Sequence, residues 1–214
     1  AAWPPALGER LADVVRGAKA VLLQREIPDH VNEAVASVAA AAGVPVFQDV
    51  GGEDRPLSDD QLSRADYVMP NQSELERLTG MKADTDTAVV KAAAALRAKG
   101  AKNVLVTLGE RGALLLDAKG DVLRQPAAAL PGGSVADATA AGDAFRAAFA
   151  LASVEGKPVV ERLRFAAAAG AIAASRMGAM PSLPEREECD ALCARTPLAT
   201  PNPPTEPDPN PNPK

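Results

Sequence analysis

Several residue types are scarce in this 214-residue sequence, and each shortage excludes a class of protein. Aromatic residues make up 3% of the chain, whereas 47% is hydrophobic and much of that is alanine. Alanine favours helices packed closely on a sheet over an all-β protein. Two cysteines and one histidine are too few for a disulfide framework or a zinc site. We therefore expect an intracellular protein.

Basic residues are also in deficit. The formal net charge is −5 and the pI is about 5.0, whereas nucleic-acid binding requires a basic surface. No apolar run approaches the length of a transmembrane helix, and the first residues lack the charged-then-apolar layout of a secretory signal. We expect neither a nucleic acid nor a membrane as a partner.

Short apolar runs alternate with amphipathic stretches from residue 20 onward. This alternation predicts strand–helix units and a mostly parallel sheet covered by helices. Strands are predicted at 20–24, 44–47, 67–69 and 104–107, with a hairpin at 113–116 and 122–123. Helices are predicted at 29–43, 73–79, 87–99, 140–154, 159–174 and 185–194. In the first helix, Val31, Val35 and Val38 recur at helical spacing.

The composition changes near residue 196. Beyond that point the chain is almost entirely proline, asparagine, threonine and acidic residues. Such a segment cannot bury enough apolar surface to offset its conformational entropy. We expect one domain over residues 1–195 and a disordered, proline-rich tail over residues 196–214.

Residues 137–143 (Asp-Ala-Thr-Ala-Ala-Gly-Asp) lie at the entry to an apolar helix. Free N–H groups at a helix start bind anions, and small side chains let a phosphate approach them. Asp143 on the first turn could accept a proton beside a transferring phosphoryl group. Asp137 and Asp143 could equally be helix caps that interact favourably with the helix dipole, and the residues alone do not separate the two interpretations.

Two further segments follow predicted strands. Residues 107–112 (Thr-Leu-Gly-Glu-Arg-Gly) come after the strongest strand, where ligands often bind in α/β sheets, although glycine there is more often only a turn. No Gly-Lys-Ser/Thr follows, so this is not a Walker A loop. Asn71 either caps a helix or faces a phosphate, and Glu74 could help to position metal-bound water.

These segments in their order resemble the ribokinase branch of the PfkB carbohydrate kinase family. Residues 23–28 (Leu-Gln-Arg-Glu-Ile-Pro), 70–74, 106–113, 163–166 and 178–182 all take part in the resemblance, which extends from about residue 3 to residue 195. The Asp-x-Thr-x-Ala-Gly-Asp element at 137–143 is specific to that family. The amino-acid sequence at residues 25–29 and 49–52 most resembles that of plant-type members.

The resemblance implies a ribokinase-like three-layer αβα sandwich with a mostly parallel sheet. It implies ATP-dependent phosphorylation of D-ribose to ribose 5-phosphate, with ATP, Mg²⁺ and K⁺ as cofactors. The partners would be a small-molecule sugar and ATP, and the full-length form would be a homodimer.

The resemblance also assigns roles to single positions. Asp143 would be the catalytic base, with an anion hole formed by the N–H groups of Ala140, Ala141 and Gly142. Nucleotide contacts fall on Asn71, Thr107, Leu108, Gly109, Glu110, Arg111, Gly112, Gly142 and Ala167. Substrate contacts fall on Glu26 and Asp143. Glu74 would be linked to Mg²⁺, and the K⁺ loops would contain Asp137, Thr139, Ala173, Arg176, Gly178 and Ser182.

The sequence departs from the family pattern in several places. Ala144 and Arg146 replace small polar residues that usually follow the catalytic aspartate, and Ala167 stands where a His or Asn often lies near the adenine. The di-glycine sugar motif and the small β-sheet lid have no counterpart. We therefore expect the C-terminal two-thirds of a family member, incomplete at its N-terminal side, with low activity as an isolated chain.

Two alternatives stay open at this stage. The chain could belong to a PfkB kinase for another sugar or a nucleoside, since much of the sugar choice would lie in the absent segment. It could also be a non-catalytic nucleotide-binding remnant. The retained Asp143 and its small neighbours argue against the remnant.

Overall fold

The computed structural model describes residues 6–52 and 55–201, and its centre is a seven-stranded sheet. The strands are β1 (Val21–Leu23), β2 (Val46–Asp49), β3 (Tyr67–Met69), β4 (Asn103–Thr107), β5 (Ala113–Leu116), β6 (Val122–Gln125) and β7 (Thr200–Pro201). Their spatial order equals their chain order. Strands β1 to β4 pair in parallel, and β4 to β7 pair antiparallel. The predicted mostly parallel sheet with an added hairpin is confirmed.

Eight α-helices accompany the strands in the described residues. They are α1 (Glu9–Arg16), α2 (Asp29–Ala41), α3 (Asp59–Arg64), α4 (Gln72–Thr79), α5 (Asp86–Ala98), α6 (Ala141–Val154), α7 (Val159–Ala174) and α8 (Arg186–Cys193). Short 3₁₀ turns lie at Gly109–Arg111 and Met180–Ser182. Among the described residues, no helix combines the length and the apolar content needed to cross a bilayer.

Two hydrophobic cores separate the three layers. Strand side chains alternate between faces, so Phe47 and Leu105 join the core under α6, α7 and α8. Val46 and Val104, one residue earlier in each strand, join the core under α2, α4 and α5. The predicted αβα sandwich is therefore confirmed.

Alanine and glycine allow α6 and α7 to approach each other closely. Ala166, Ala168 and Ala169 of α7 are fully or almost fully buried. A Cβ built on Gly170 would lie 3.2 Å from the carbonyl oxygen of Ala141, at the start of α6. The close approach fixes the N-terminal end of α6, which carries the Asp-x-Thr-x-Ala-Gly-Asp element.

The buried face of α2 differs from the valine pattern. Asn32, Ala36 and Ala39 are buried, whereas Val35 and Val38 lie half-buried beside them. Helix α3 was not predicted, although Ser58 and Gln61 form a capping box at its start. Strand β1 is an edge strand, and Leu22 in its centre is exposed.

The domain boundary predicted at residue 196 is too early. Thr196 and Ala199 are buried, and Thr200 pairs with Arg124 in β6. The carbonyl oxygen of Pro197 accepts a hydrogen bond of 3.0 Å from the side chain of Gln125. Backbone pairing thus orders a segment whose composition predicts disorder. The rest of the predicted tail, residues 202–214, lies outside the described residues.

Candidate active site

The polar segments meet at the carboxyl edge of the parallel strands. Asp49 ends β2, Asn71 follows β3 and Thr107 ends β4. A cleft of about 620 Å³ opens at this edge and continues along the start of α6 and one side of α7. Its volume is in the range of small-molecule sites.

The start of α6 has the features of an anion-binding site. Ala140 precedes the helix with a φ of 62° and gives it no side-chain cap. Ala141 and Gly142, the first two helical residues, line the cleft. N–H groups of a first helical turn lack intrahelical partners and attract negative charge. Here the Ala141 N–H donates to the Ala138 carbonyl at 3.2 Å in the preceding loop, so the Ala141 N–H is already engaged. The left-handed conformation of Ala140 turns the chain sharply into this helix start.

Asp143 lies on the first turn of α6 and its side chain is 71% exposed. Its Oδ1 is 3.6 Å from Nη1 of Arg146, one turn further along the same helix. Exposure leaves the carboxylate accessible to a substrate hydroxyl. Asp143 does not itself line the cleft, but its neighbour Gly142 does, so the carboxylate lies next to the helix start that borders the cleft.

Arg146 and Asp49 were not among the predicted site residues. Nη1 of Arg146 lies 2.9 Å from Oδ2 of Asp49, and its Nε donates to the carbonyl oxygen of Met69 at 3.2 Å. Burial raises the pKa of the Asp49 carboxyl, although Arg146 and the Gly51 N–H oppose the shift. Asp49 could have been identified from the sequence by its position at the end of a buried strand. Arg146 could have been identified because it departs from the family pattern.

Asn71 and Glu74 form a reciprocal capping box at the start of α4. Oδ1 of Asn71 accepts from the backbone N–H of Glu74 at 2.9 Å, and Oε2 of Glu74 accepts from that of Asn71 at 2.7 Å. Both side chains also line the cleft. The capping interpretation of Asn71 therefore holds, and its position leaves a nucleotide contact possible.

The segment from Thr107 to Gly112 forms a tight loop at the rim. Thr107, Gly109, Glu110 and Gly112 line the cleft, whereas Leu108 is buried and borders a smaller adjoining hollow. The Arg111 guanidinium is turned away. It donates to Asp86 at 3.2 Å, to Gln72 at 2.9 Å and to the Ala83 carbonyl at 3.3 Å.

The far end of the cleft is apolar. Ala167 lies there in α7, and it has no side-chain donor or acceptor for a base edge. The other apolar lining residues of the cleft are Ala127, Ala128, Leu130, Val135, Ala138, Ala141, Phe145, Ala171 and Ala174. An apolar end joined to a helix N-terminus matches the two halves of a nucleotide, since the base is flat and apolar and the phosphates are anionic.

The six residues assigned to a K⁺ site lie in two connected loops and the end of α7. Asp137 accepts from the Thr139 N–H through Oδ1 and from the Gly178 N–H through Oδ2, both at 2.9 Å. The Thr139 hydroxyl, followed by these two N–H groups, lowers the pKa of Asp137. Arg176 instead pairs with Glu188 on α8.

The oxygens in these loops already take part in hydrogen bonds. Ala173 is buried and its carbonyl accepts from the Arg176 N–H at 3.1 Å, while the Ser182 hydroxyl donates to the Ala179 carbonyl at 2.7 Å. Carbonyl oxygens can replace the hydration shell of K⁺. A monovalent cation would share these oxygens with their present hydrogen bonds, and the K⁺ site stays a prediction.

The residues around Glu74 do not fit a directly held magnesium ion. Its Oε2 accepts from the Asn71 N–H, and Nη2 of Arg146 lies 3.6 Å away. Mg²⁺ requires six oxygen ligands in octahedral geometry. Here the Arg146 guanidinium lies between the carboxylates of Glu74 and Asp49. Among the described residues, no cluster of three or more His, Cys, Asp or Glu side chains could hold a metal.

Glu26 is exposed and lies on the same edge of the sheet, just after β1. A Cβ built on Gly52 would be 3.3 Å from its Cγ, and one on Gly51 would be 3.1 Å from Oε1 of Glu74. The loop after β2 therefore separates Glu26 from Glu74. Glu26 does not line the cleft.

The sheet, the helix N-terminus and the cleft define a three-layer α/β protein whose candidate site lies at the carboxyl edge of its parallel strands. Residues 9–186 match the family described as pfkB family carbohydrate kinase. The chain therefore belongs to this family.

Individual relatives agree with the family match. The ribokinase of Arabidopsis thaliana is 45% identical over 186 residues, covering 87% of this chain and 48% of the relative. The structure of Arabidopsis thaliana ribokinase complexed with ribose and ATP superposes with a TM-score of 0.86 at 44% identity, covering 89% of this chain and 61% of that one. For the ribokinase of Thermotoga maritima the TM-score is 0.75 at 34% identity, with 86% and 59% covered.

The chain spans about half the length of the curated relatives it matches, 48% and 53% for the Arabidopsis and Haemophilus influenzae ribokinases. The prediction that it corresponds to the C-terminal two-thirds of a family member is wrong in extent. The family match ends at residue 186, so it covers the N-terminal and central parts of this chain and leaves the last residues outside.

Proposed function

We propose that the protein is part of an ATP-dependent sugar kinase whose acceptor is D-ribose. The observation that carries the proposal is the position of Asp143, on the first turn of a helix whose uncapped N-terminus lines a nucleotide-sized cleft. The 45% identity to the Arabidopsis ribokinase supports ribose as the acceptor.

In the proposed reaction Asp143 takes the proton from the primary hydroxyl of the sugar. The hydroxyl oxygen forms a bond to the γ-phosphorus, the bond from that phosphorus to the bridging oxygen breaks, and ADP leaves. The developing negative charge lies near the N–H groups of Ala141 and Gly142. Such a helix start stabilises the charge because its dipoles are already oriented.

ATP would lie with its phosphates at the start of α6 and its base at the apolar end. Base recognition there would rest on packing and on backbone groups, because Ala167 offers no polar side chain. We propose that K⁺ occupies the loops joined by Asp137. Magnesium would arrive bound to the nucleotide phosphates, since Glu74 is engaged elsewhere.

We further propose that the 214-residue chain is nearly inactive alone. Glu26 is the sole predicted sugar contact other than Asp143, and it stands outside the cleft. A site that is open on its sugar side holds the acceptor poorly and admits water as a competing acceptor.

We propose that the full-length form is a homodimer and that it is located in the cytoplasm or the plastid.

The test is a coupled assay of ATP turnover with ribose, Mg²⁺ and K⁺. The chain is assayed alone and as a fusion with the part of the Arabidopsis ribokinase outside the matched region, each with and without Asp143→Asn. We expect turnover in the fusion only, reduced about 10²- to 10⁴-fold by the substitution. Turnover unaffected by Asp143→Asn would refute the catalytic role.

A second candidate is a kinase of the same family for another acceptor. The deoxyribokinase of Salmonella typhimurium is 29% identical over 84% of this chain. Comparing ribose, deoxyribose, fructose and a nucleoside as acceptors for the fusion separates these candidates. ATP binding without turnover of any acceptor would instead favour a nucleotide-binding remnant.

A further inference from the structure

Arg146 holds an unusual position in the phosphate end of the cleft. Its side chain is 11% exposed and its guanidinium is surrounded by three carboxylates and a carbonyl. Asp49 lies 2.9 Å from Nη1, whereas Glu74 and Asp143 lie at 3.6 Å. A guanidinium suits such a site because it stays charged and is weakly hydrated.

The guanidinium takes the place that a protein-bound divalent ion would need. The carboxylates of Asp49 and Glu74 both lie beside Arg146. Its Nη1 is 2.9 Å from Asp49 and its Nη2 is 3.6 Å from Glu74. An ion placed between them would meet a fixed positive charge at short range, and that repulsion is strong where water is partly excluded. Arg146 therefore already neutralises part of the carboxylate charge.

The same group faces the proposed phosphate position. Arg146 lines the cleft beside Gly142, and a Cβ built on Gly142 would lie 2.9 Å from Nη1. The contact of Nη2 with Glu74 at 3.6 Å is longer than a hydrogen bond. The N–H groups of Nη2 can therefore donate to a phosphate oxygen while Asp49 and the Met69 carbonyl hold the rest of the guanidinium.

We propose that Arg146 is the fixed cation of the phosphate-binding end of this cleft, in contact with the phosphates of the bound nucleotide, and that it excludes a protein-held divalent ion from Asp49 and Glu74. This inference rests on the proposed function, because it requires a nucleotide in the cleft. It departs from the predicted role of Glu74 as a magnesium-linked residue.

The experiment measures two kinds of binding to the 214-residue chain and needs no turnover. Calorimetry with ATP in EDTA reports binding without metal, and titration with Mn²⁺ in the absence of nucleotide reports divalent binding. We expect Arg146→Gln to weaken metal-free ATP binding about 10- to 100-fold, as for one lost charge-assisted hydrogen bond. We expect the same variant to gain a Mn²⁺ site that the wild-type chain lacks.

The matched control is Arg16→Gln. Arg16 also contacts two carboxylates, Glu9 at 2.8 Å and Asp13 at 2.6 Å, but on the exposed face of α1. It should change neither measurement. Circular dichroism and thermal melting check that each variant is folded. If Arg146→Gln does not fold, Arg146→Lys decides: it should weaken metal-free ATP binding measurably relative to wild type, because an ammonium cannot replace the planar guanidinium, and it should still exclude Mn²⁺.

The outcomes separate the inference from the function on which it rests. A wild-type chain that binds no ATP, with or without Mg²⁺, refutes the proposed function and the inference together. ATP binding in EDTA that is equal in wild type and Arg146→Gln refutes the inference alone. Mn²⁺ binding by the nucleotide-free wild type, as tight as in Arg146→Gln, overturns the exclusion of a divalent ion.

Discussion

Oδ2 of Asp137 accepts a hydrogen bond of 2.9 Å from the backbone N–H of Gly178, which lies 41 residues further along the chain. Its Oδ1 accepts from Thr139 in its own loop. The backbone N–H groups of Ala136 and Asp137 both donate to the carbonyl of Ala174, at the end of α7. One carboxylate thus joins the loop before α6 to the loop after α7.

The Asp137 bridge should make stability depend on pH in the acid range. Its hydrogen bonds lower the pKa of Asp137 in the folded state. The bridge therefore contributes fully above the unfolded-state pKa of about 3.9, and the contribution is lost as the pH falls through the lower folded-state value. Urea unfolding from pH 7 to pH 2 should show Asp137→Asn less stable than wild type at neutral pH, with the difference shrinking toward pH 2.

A control for that series is Asp84→Asn, which changes an exposed carboxylate. Its stability should stay close to that of wild type at every pH. A constant difference between wild type and Asp137→Asn down to pH 2 would contradict a role for the ionised carboxylate.

Two glycines in the loop after β4 should respond very differently to alanine. At Gly112 a Cβ would lie 2.1 Å from the Gln125 carbonyl oxygen and 2.5 Å from the Ala127 nitrogen. At Gly109 the φ is 58° and nothing lies within 4 Å. We expect Gly112→Ala to cost at least about 3 kcal/mol and Gly109→Ala about 1 kcal/mol, measured by urea unfolding. Equal losses would contradict the close contact.

Ala140 is the sole non-glycine residue with a positive φ in the described part of the chain. A left-handed alanine costs about 1 kcal/mol relative to glycine. We therefore expect Ala140→Gly to raise the free energy of unfolding by about 0.5–1 kcal/mol. Ala138→Gly, two residues earlier at a residue without a positive φ, should lower it. A loss of stability in Ala140→Gly would show that the turn is not strained.

The two cysteines should differ in reactivity. Burial raises the pKa of Cys189 to about 11, whereas Cys193 is only half-buried. At pH 8 roughly 10⁻³ of such a thiol is ionised, and the thiolate is the reactive form. In thiol titration, Cys193→Ser, which retains Cys189, should react far more slowly than Cys189→Ser, and its rate should keep rising above pH 9. Equal rates would mean that Cys189 is accessible.

Much of the architecture could be predicted because it depends on local patterns. The strand at Tyr67–Met69 and the helix at Val159–Ala174 have the predicted bounds, since apolar runs and helical spacing are visible within a few residues. The helix at Gln72–Thr79 ends before Gly80, as predicted from the glycine. Gly80 adopts the left-handed conformation that commonly ends a helix. Patterns failed where the signal was weak, as in the short helix α3, or where backbone pairing outweighed composition, as in β7.

The candidate site also has features that local sequence patterns predict and features that they do not. The sequence by itself determined the segments that carry chemistry, because small residues before a helix and glycines after a strand are local features. Only the tertiary structure decided which side chains meet there. The pairing of Arg146 with Asp49, the rotation of Arg111 toward Asp86 and the position of Glu26 outside the cleft depend on packing between elements far apart in the chain. Local periodicity carries no information about such contacts, since it records which face of an element is buried and not which residue lies opposite it.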